Sequence, residues 1–327
     1  MQPIYTVTDK MLNRVVEISE LTALLVLEKR DLHLRKENRI RSIQSSLAIE
    51  NNSLTLEQVT DIIDGKRVLG APKEIHEVQN AYEAYERVFQ LNPYRVDDLL
   101  LAHQLLTKDL VKRAGQFRLG DVGVYDSQGT VVHVGARPQF VPKLVQDLFD
   151  WAETSDLPAL IKSCLVHFEL EMIHPFEDGN GRIGRLWQSL ILYQWQDIFE
   201  WVPIETVIYK HQQAYYDSLS LSNHQNDATV FIEFMLDAIL ETLQEYSLKE
   251  KSDKVGDKMS DKELLYFKLL EKHLKKHGVI GSRDFQNISN LSPSAARRYL
   301  TRFTDLGLLV KTGQNRNRQY QLRQDLS

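Results

Sequence analysis

Apolar residues recur at three- and four-residue spacing along most of the chain, a period that predicts a mainly α-helical protein. The first such stretch is 21–41, where apolar positions thin out into Lys29, Arg30, Arg35, Lys36 and Arg39. A second covers 56–65. In 75–91, Val78, Tyr82, Tyr85 and Phe89 share one face until Asn92-Pro93 breaks the pattern, and 96–111 follows. Helical spacing returns at 141–152, 159–173, 182–196, 211–221 and 228–245, and Pro175 enforces the stop after 173. Between them lies a different texture. Gly115, Gly120, Gly123, Gly129 and Gly135 punctuate two β-rich pieces, 122–125 and 130–134, and the turn at 126–129 between these predicts a hairpin.

Residues 249–262 are polar, carry no apolar period and read as a linker or a frayed helix end. Beyond them, helices at 264–274, 282–288 and 293–306 and short strands at 308–310 and 319–322 follow in an order that resembles a winged helix. Charge sets this region apart: Asp261 to Ser327 holds 13 Lys plus Arg against 6 Asp plus Glu, although the whole chain has a net charge of −5. Arg297, Arg298 and Arg302 fall on its last helix and Arg316 and Arg318 on its wing, where they could neutralise DNA phosphates; protein docking is the other use of such a unit.

At 43% hydrophobic and 26% charged residues, the chain of 327 residues is ordinary for a globular protein. Its one cysteine, Cys164, excludes an internal disulfide and a Cys-based zinc site. Residues 1–10 contain no apolar signal core and no run reaches membrane-spanning length, so the expectation is a cytoplasmic protein with no membrane partner.

The chemistry concentrates in His174-Pro-Phe-Glu-Asp-Gly-Asn-Gly-Arg-Ile-Gly-Arg185. Pro175 closes one helix, Gly179-Asn180-Gly181 turns sharply, and the next helix starts at once. Glycines at a helix start let backbone N–H groups converge where the dipole is positive, a site for anions. Arg182 and Arg185, three apart, add two cations on one face. Asp178 beside phosphates suits Mg²⁺. His174 is placed to take a proton.

These residues resemble the signature of the Fic family, H-P-F-x-[D/E]-G-N-G-R-x-x-R, at every fixed position. The resemblance implies a Fic-type helical core with a β-hairpin flap, divided here as an N-terminal helical region 1–95, a catalytic core 96–248, a linker 249–262 and a winged-helix-like domain 263–327. It implies a nucleotidyltransferase that moves AMP from ATP to a Ser, Thr or Tyr hydroxyl of a protein, with Mg²⁺ as cofactor. His174 becomes the general base and Asp178 the Mg²⁺ ligand. Gly179, Asn180, Gly181 and Gly184 line the ATP site, Arg182 and Arg185 hold phosphates, and Phe176 anchors the loop. The phosphotransferase branch carries lysine where this chain has Gly181, which favours adenylyl transfer.

By the same resemblance, Val134, Gly135, Ala136 and Arg137 at the hairpin cover the nucleotide and dock the target, by adding a strand to the hairpin edge. Tyr215-Tyr216 and Asn223 resemble the family's adenosine-side contacts, where an aromatic ring stacks and an amide hydrogen-bonds. Ser46 to Asn51 matches the family's inhibitory pattern [S/T]-x-x-x-E-[G/N], so Glu50 would pair with Arg185 and misplace the nucleotide. Partners are then a protein target, self-modification and DNA, and a homodimer is compatible with the reading. The competing expectation is a nucleotide-sensing DNA-binding regulator without turnover, and a third is an enzyme that also removes AMP.

Overall fold

The structure, a computed structural model, describes residues 2–27, 32–125, 131–256, 259–313 and 318–323. In chain order the first elements are α1 (Asp9–Leu27), α2 (Leu32–Ile49), α3 (Leu56–Ile63), α4 (Pro72–Arg87) and α5 (Val96–Thr107). Strands β1 (Gly123–Tyr125) and β2 (Val131–Val134) follow, then α6 (Val141–Thr154), α7 (Ala159–Ile173), α8 (Asn180–Trp195), α9 (Ile204–Lys210), α10 (Gln212–Gln225) and α11 (Thr229–Gly256). The remainder is α12 (Asp261–His277), β3 (Ile280–Gly281), α13 (Ser282–Ser289), α14 (Pro293–Asp305), β4 (Leu309–Thr312) and β5 (Gln319–Leu322). The chain divides into two compact units, one ending at Leu243 and the other starting at Gln244.

In the first unit α7 is the central element. It is buried on nearly every side, from Leu160 to Ile173, and carries Ser163, His167 and Glu169 into the core with its apolar residues. Helix α8 packs along it, and α6 covers another face. Helix α2 is equally internal: Asn38 to Ile49 is mostly buried against α4 and α9. Its Arg39 donates to Tyr85 O, Glu86 and Glu200 and lies 4.3 Å from the Trp201 ring centroid. β1 and β2 pair antiparallel as the hairpin pattern predicts; the turn at 126–129 lies outside the described residues.

Two sequence expectations change, and a third, a linker or a frayed helix end, narrows to the helix. The stretch 21–41 belongs to two helices, the first starting at Asp9. Its buried stripe is Met11, Ile18, Thr22 and Leu25, and exposed Leu12, Val16 and Leu24 blur that stripe in the sequence. Helix α9, seven residues between Pro203 and His211, is too short to show a period. The polar stretch from Lys249 continues α11 as far as Gly256, because its Lys and Glu residues sustain a helix without an apolar face.

The second unit packs α12, α13 and α14 around Leu270, Phe285, Leu300, Phe303 and Tyr320. Ser260 and Glu263 form a capping box before α12, and Ser292 with Pro293 starts α14. β4 and β5 pair antiparallel, and two-residue β3 adds to the other edge of β5, giving the order β3-β5-β4. Arg297, Arg298 and Arg318 are exposed, and Arg302 bonds Glu263 at 3.2 Å; Arg316 lies outside the described residues. Among the described residues no helix is long and apolar enough to cross a membrane.

Candidate active site

The site is the junction of α7 and α8. His174 caps α7 in the left-handed conformation (φ 49°), which turns the chain off the helix axis. Its Nδ1 lies 3.3 Å from Glu171 O; a carbonyl only accepts, so Nδ1 carries the proton and the Nε2 lone pair is left open. Burial, partly offset by that carbonyl, pushes the imidazole pKa down to about 4, and the ring is neutral at physiological pH.

The loop between the helices is tied at several points. Phe176 is fully buried and stacks on His103, with centroids 3.7 Å apart. Asn180 closes a ring of two 2.9 Å bonds, accepting from Phe176 N and donating to Phe176 O. Its side chain therefore shapes the loop, a role beyond the backbone contribution expected of it. Gly179 holds φ 85°, and a Cβ there would press on Thr107 at 3.0 Å, so glycine is required on both counts. No side chain caps the N-terminus of α8, which leaves its first N–H groups facing the site.

Two residues that the sequence did not single out hold this loop. Arg118, 1% exposed, donates to the carbonyls of His174 (2.7 Å), Gly120 (2.7 Å), Ala136 and Ile173 (3.3 Å). It joins the α7 end to the hairpin through backbone oxygens alone. His103 accepts from Gly115 N at Nδ1, so Nε2 is protonated and donates to Asp178 O at 2.9 Å. Burial lowers its pKa to about 4 and keeps the ring neutral, so these two bonds fix the tautomer. A cation in a glycine-rich stretch and a polar residue on the core face of α5 were the only signals. Replacing Arg118 by methionine strands several buried acceptors, at about 1–3 kcal/mol each. The expected result is a urea midpoint lowered by the equivalent of about 3 kcal/mol or more; an unchanged midpoint would refute this role.

The end of α2 reaches the same place. Arg185, 2% exposed, donates to Glu50 Oε1 at 2.8 Å, to Ser46 O at 3.0 Å and to Ser46 Oγ at 3.2 Å. Burial opposes its charge, but Glu50, Tyr215 and Glu171 together outweigh burial and its pKa is raised. The Glu50 carboxylate also presses against the Cα of Gly181, where a side chain would collide with it. An anion from the chain itself thus stands at the helix start. The chain turns there because Asn51 adopts φ 67°, with Asn52 N bonded to Leu47 O and Asn51 N to Ala48 O. That geometry explains why glycine or asparagine suits the position after the glutamate. Ile49 O accepts from Gln212 and from the Tyr216 hydroxyl, which ties the turn to α10.

The hairpin end lies against the base. Gly135 N bonds Val122 O, Ala136 N bonds Ile173 O, and a Cβ on Gly135 would come within 3.0 Å of the His174 Cβ. Val134 and Arg137 are exposed, and His133 Nε2 donates to Met172 O at 2.8 Å.

Tyr215 has no ring face to offer a base: it is 1% exposed, packed near Phe231 and Phe234, with its hydroxyl 3.1 Å from His167 Nε2. Its neighbour Tyr216, 41% exposed, keeps an open ring. Gly184 faces α7, where His167 and Glu171 occupy the space of a Cβ, so it is a helix-packing glycine. Asn223 lines a cavity of about 190 Å³ together with Glu169, Met172 and Asn226.

Asp178 is half exposed, and its Oδ1 accepts from Arg182 Nη2 at 2.9 Å. No group of three or more His, Cys, Asp or Glu residues among those described could cage a metal. One hard oxygen beside an anion site suits Mg²⁺ that arrives with phosphates and keeps its waters, so Asp178 fits that ion.

Residues 93–192 match the model of the Fic/DOC family. Over almost its whole length the chain is similar to the crystal structure of a Fic family protein from Desulfovibrio desulfuricans G20. The two share 39% identity, 99% of each chain is covered, and the TM-score is 0.74. The protein adenylyltransferase Fic of Nematostella vectensis is 29% identical over 222 residues, 64% of this chain and 49% of the relative. The protein adenylyltransferase fic-1 of Caenorhabditis elegans is 27% identical over 237 residues, 68% of this chain and 44% of the relative. The chain spans about half the length of the curated relatives it matches.

Proposed function

The chain belongs to the Fic family, and on that premise we propose that it is a protein adenylyltransferase held in check by Glu50. The observation that carries this reading is the Glu50 carboxylate, bonded to Arg185 and seated against Gly181 at the start of α8. A carboxylate of the chain occupies the place suited to a phosphate, and His174, with its open Nε2, begins the loop that leads to it.

In the active form Glu50 swings away, and the first N–H groups of α8 with Arg182 and Arg185 receive the triphosphate of ATP. Bound Mg²⁺, held by Asp178, would neutralise charge on the phosphate oxygens. His174 Nε2 takes the proton of a target Ser, Thr or Tyr hydroxyl as that oxygen attacks the α-phosphorus. The bond to the bridging oxygen breaks, and pyrophosphate leaves with the electron pair. The target lies along β2, whose end reaches His174. On the base side, Tyr216 is the member of the Tyr215-Tyr216 pair that stacks, with Asn223 as the amide.

The test is incubation of the protein with α-labelled ATP, Mg²⁺ and a cell extract, scored for label on protein. Label retained on protein supports transfer; nucleotide binding with no label in any variant would favour a sensor. The same assay has a pH signature. His174 must be neutral, and its pKa sits at about 4. At saturating ATP the transfer rate should therefore stay level from pH 8 to about 5 and fall only as pH drops through 4. A fall centred near the ordinary histidine value of about 6.5 would contradict the buried, neutral base.

A further inference from the structure

Glu171, one turn before His174, has no part in the scheme above. It is partly buried, and its covered Oε1 has no hydrogen-bond partner; the same is true of Arg185 Nη1. Buried orphans of this kind are rare and call for an explanation. Although opposite in charge, the two groups form no ion pair with each other; the nearest pairing of Glu171 among the described residues is His167 Nε2 at 3.8 Å. His167 cannot serve as its cation, because burial drives the imidazole pKa down to about 3.

The two glycines of α8 show what lies between the orphans. Glu50 and Arg185 Nη1 crowd the Cβ position of Gly181, and Glu171 Oε1 lies 2.9 Å from that of Gly184. These glycines are three residues apart on one helix face, about 4.5 Å along the axis. A phosphate taking the place of the Glu50 carboxylate is larger than the group it displaces and comes to rest beside Glu171. There an ionised glutamate repels it, whereas a neutral carboxyl bonds to it.

We propose that Glu171 is a nucleotide-binding residue acting in its protonated form, donating a hydrogen bond to the phosphate oxygen that Arg185 also holds. This rests on the nucleotide site argued above and adds to it a group outside the loop. The charged and titratable groups around Glu171 are Arg185 from α8, Glu50 from the end of α2, Tyr215 from α10, and His167 and His174 at the end of α7. Burial raises its pKa to about 7, Arg185 lowers it and Glu50 raises it. Replacing Glu50 by a multiply charged phosphate favours the proton further, so the acid form is the one that meets ATP.

The test compares Glu171→Gln and Glu171→Ala in a Glu50→Gly background, with the dissociation constant and KM for ATP measured from pH 6 to 9. Glutamine keeps the shape of the neutral acid and an N–H donor but does not titrate. With Glu171 present, affinity for ATP should weaken about tenfold as pH rises through the region where the acid ionises. With Glu171→Gln that weakening should vanish, leaving only the titration of ATP itself, which is common to all variants. With Glu171→Ala affinity should be about tenfold poorer at pH 6. Parallel pH profiles for the Glu50→Gly protein with and without Glu171→Gln, at matched thermal stability, would overturn the proposal. Absence of label transfer with ATP binding intact would instead count against the adenylyltransferase reading and leave the binding comparison readable.

Discussion

Glu50→Gly is expected to raise AMP transfer by roughly ten- to a hundredfold. The pair it removes is a charge-assisted hydrogen bond to a buried guanidinium, worth about 1.5–3 kcal/mol, and about 1.4 kcal/mol corresponds to a factor of ten in rate. That free energy now opposes nucleotide entry, because Glu50 holds both the helix start and the Arg185 Nη2 proton. The variant should fold as the wild type does. Ser46 still receives two bonds from Arg185, Asn51 keeps the left-handed turn, and α2 is buried well before its last residue. Release is therefore expected to be local, a movement of the side chain and the turn, with α2 remaining in the core. The check is the initial rate of label incorporation at saturating Mg²⁺; equal rates in the two proteins would remove Glu50 from control of the site.

His174→Asn is expected to lower transfer by about 10²–10⁴-fold, the loss that follows removal of a positioned general base. Asparagine is the more telling replacement because it tolerates the left-handed backbone that an alanine would strain. The histidine ring makes a single 3.3 Å bond to Glu171 O, so the melting temperature should move little. ATP affinity measured in the same variant should hold, since the phosphates rest on α8. Residual transfer comparable to the wild type would show that another group takes the proton.

How much of this could be read from the chain follows the distance over which each residue acts. Residues 174–185 were legible because their chemistry is local: a proline stop, a glycine turn and two arginines on the first turn of a helix. The Glu50–Arg185 pair spans 135 positions and was visible only through a short pattern; its physical reason, the positive φ at Asn51, needed coordinates. Arg118 and His103 act on carbonyls 56 and 75 positions away and carry no local mark of it. Tyr215 and Tyr216 differ by one step of about 100° around α10, enough to bury one and expose the other, and the weak apolar period of that helix does not fix its phase. Gly184, which the resemblance puts in the ATP site, has His167 and Glu171 of α7 against it, a packing that no local pattern marks. The helical fold itself was plain from periodicity, while α9 and β3 were too short to leave one.

On this mechanism the start of α8 cradles a triphosphate with the His174 imidazole beside it. A crystal structure of the Glu50→Gly protein with Mg²⁺ and a non-hydrolysable ATP analogue tests it directly. The account predicts phosphates on the first amides of α8 and on Arg185, Mg²⁺ on Asp178, and His174 Nε2 facing the α-phosphorus from the side of β2. Nucleotide bound elsewhere, or a phosphate chain turned so that His174 faces no phosphorus, would contradict it.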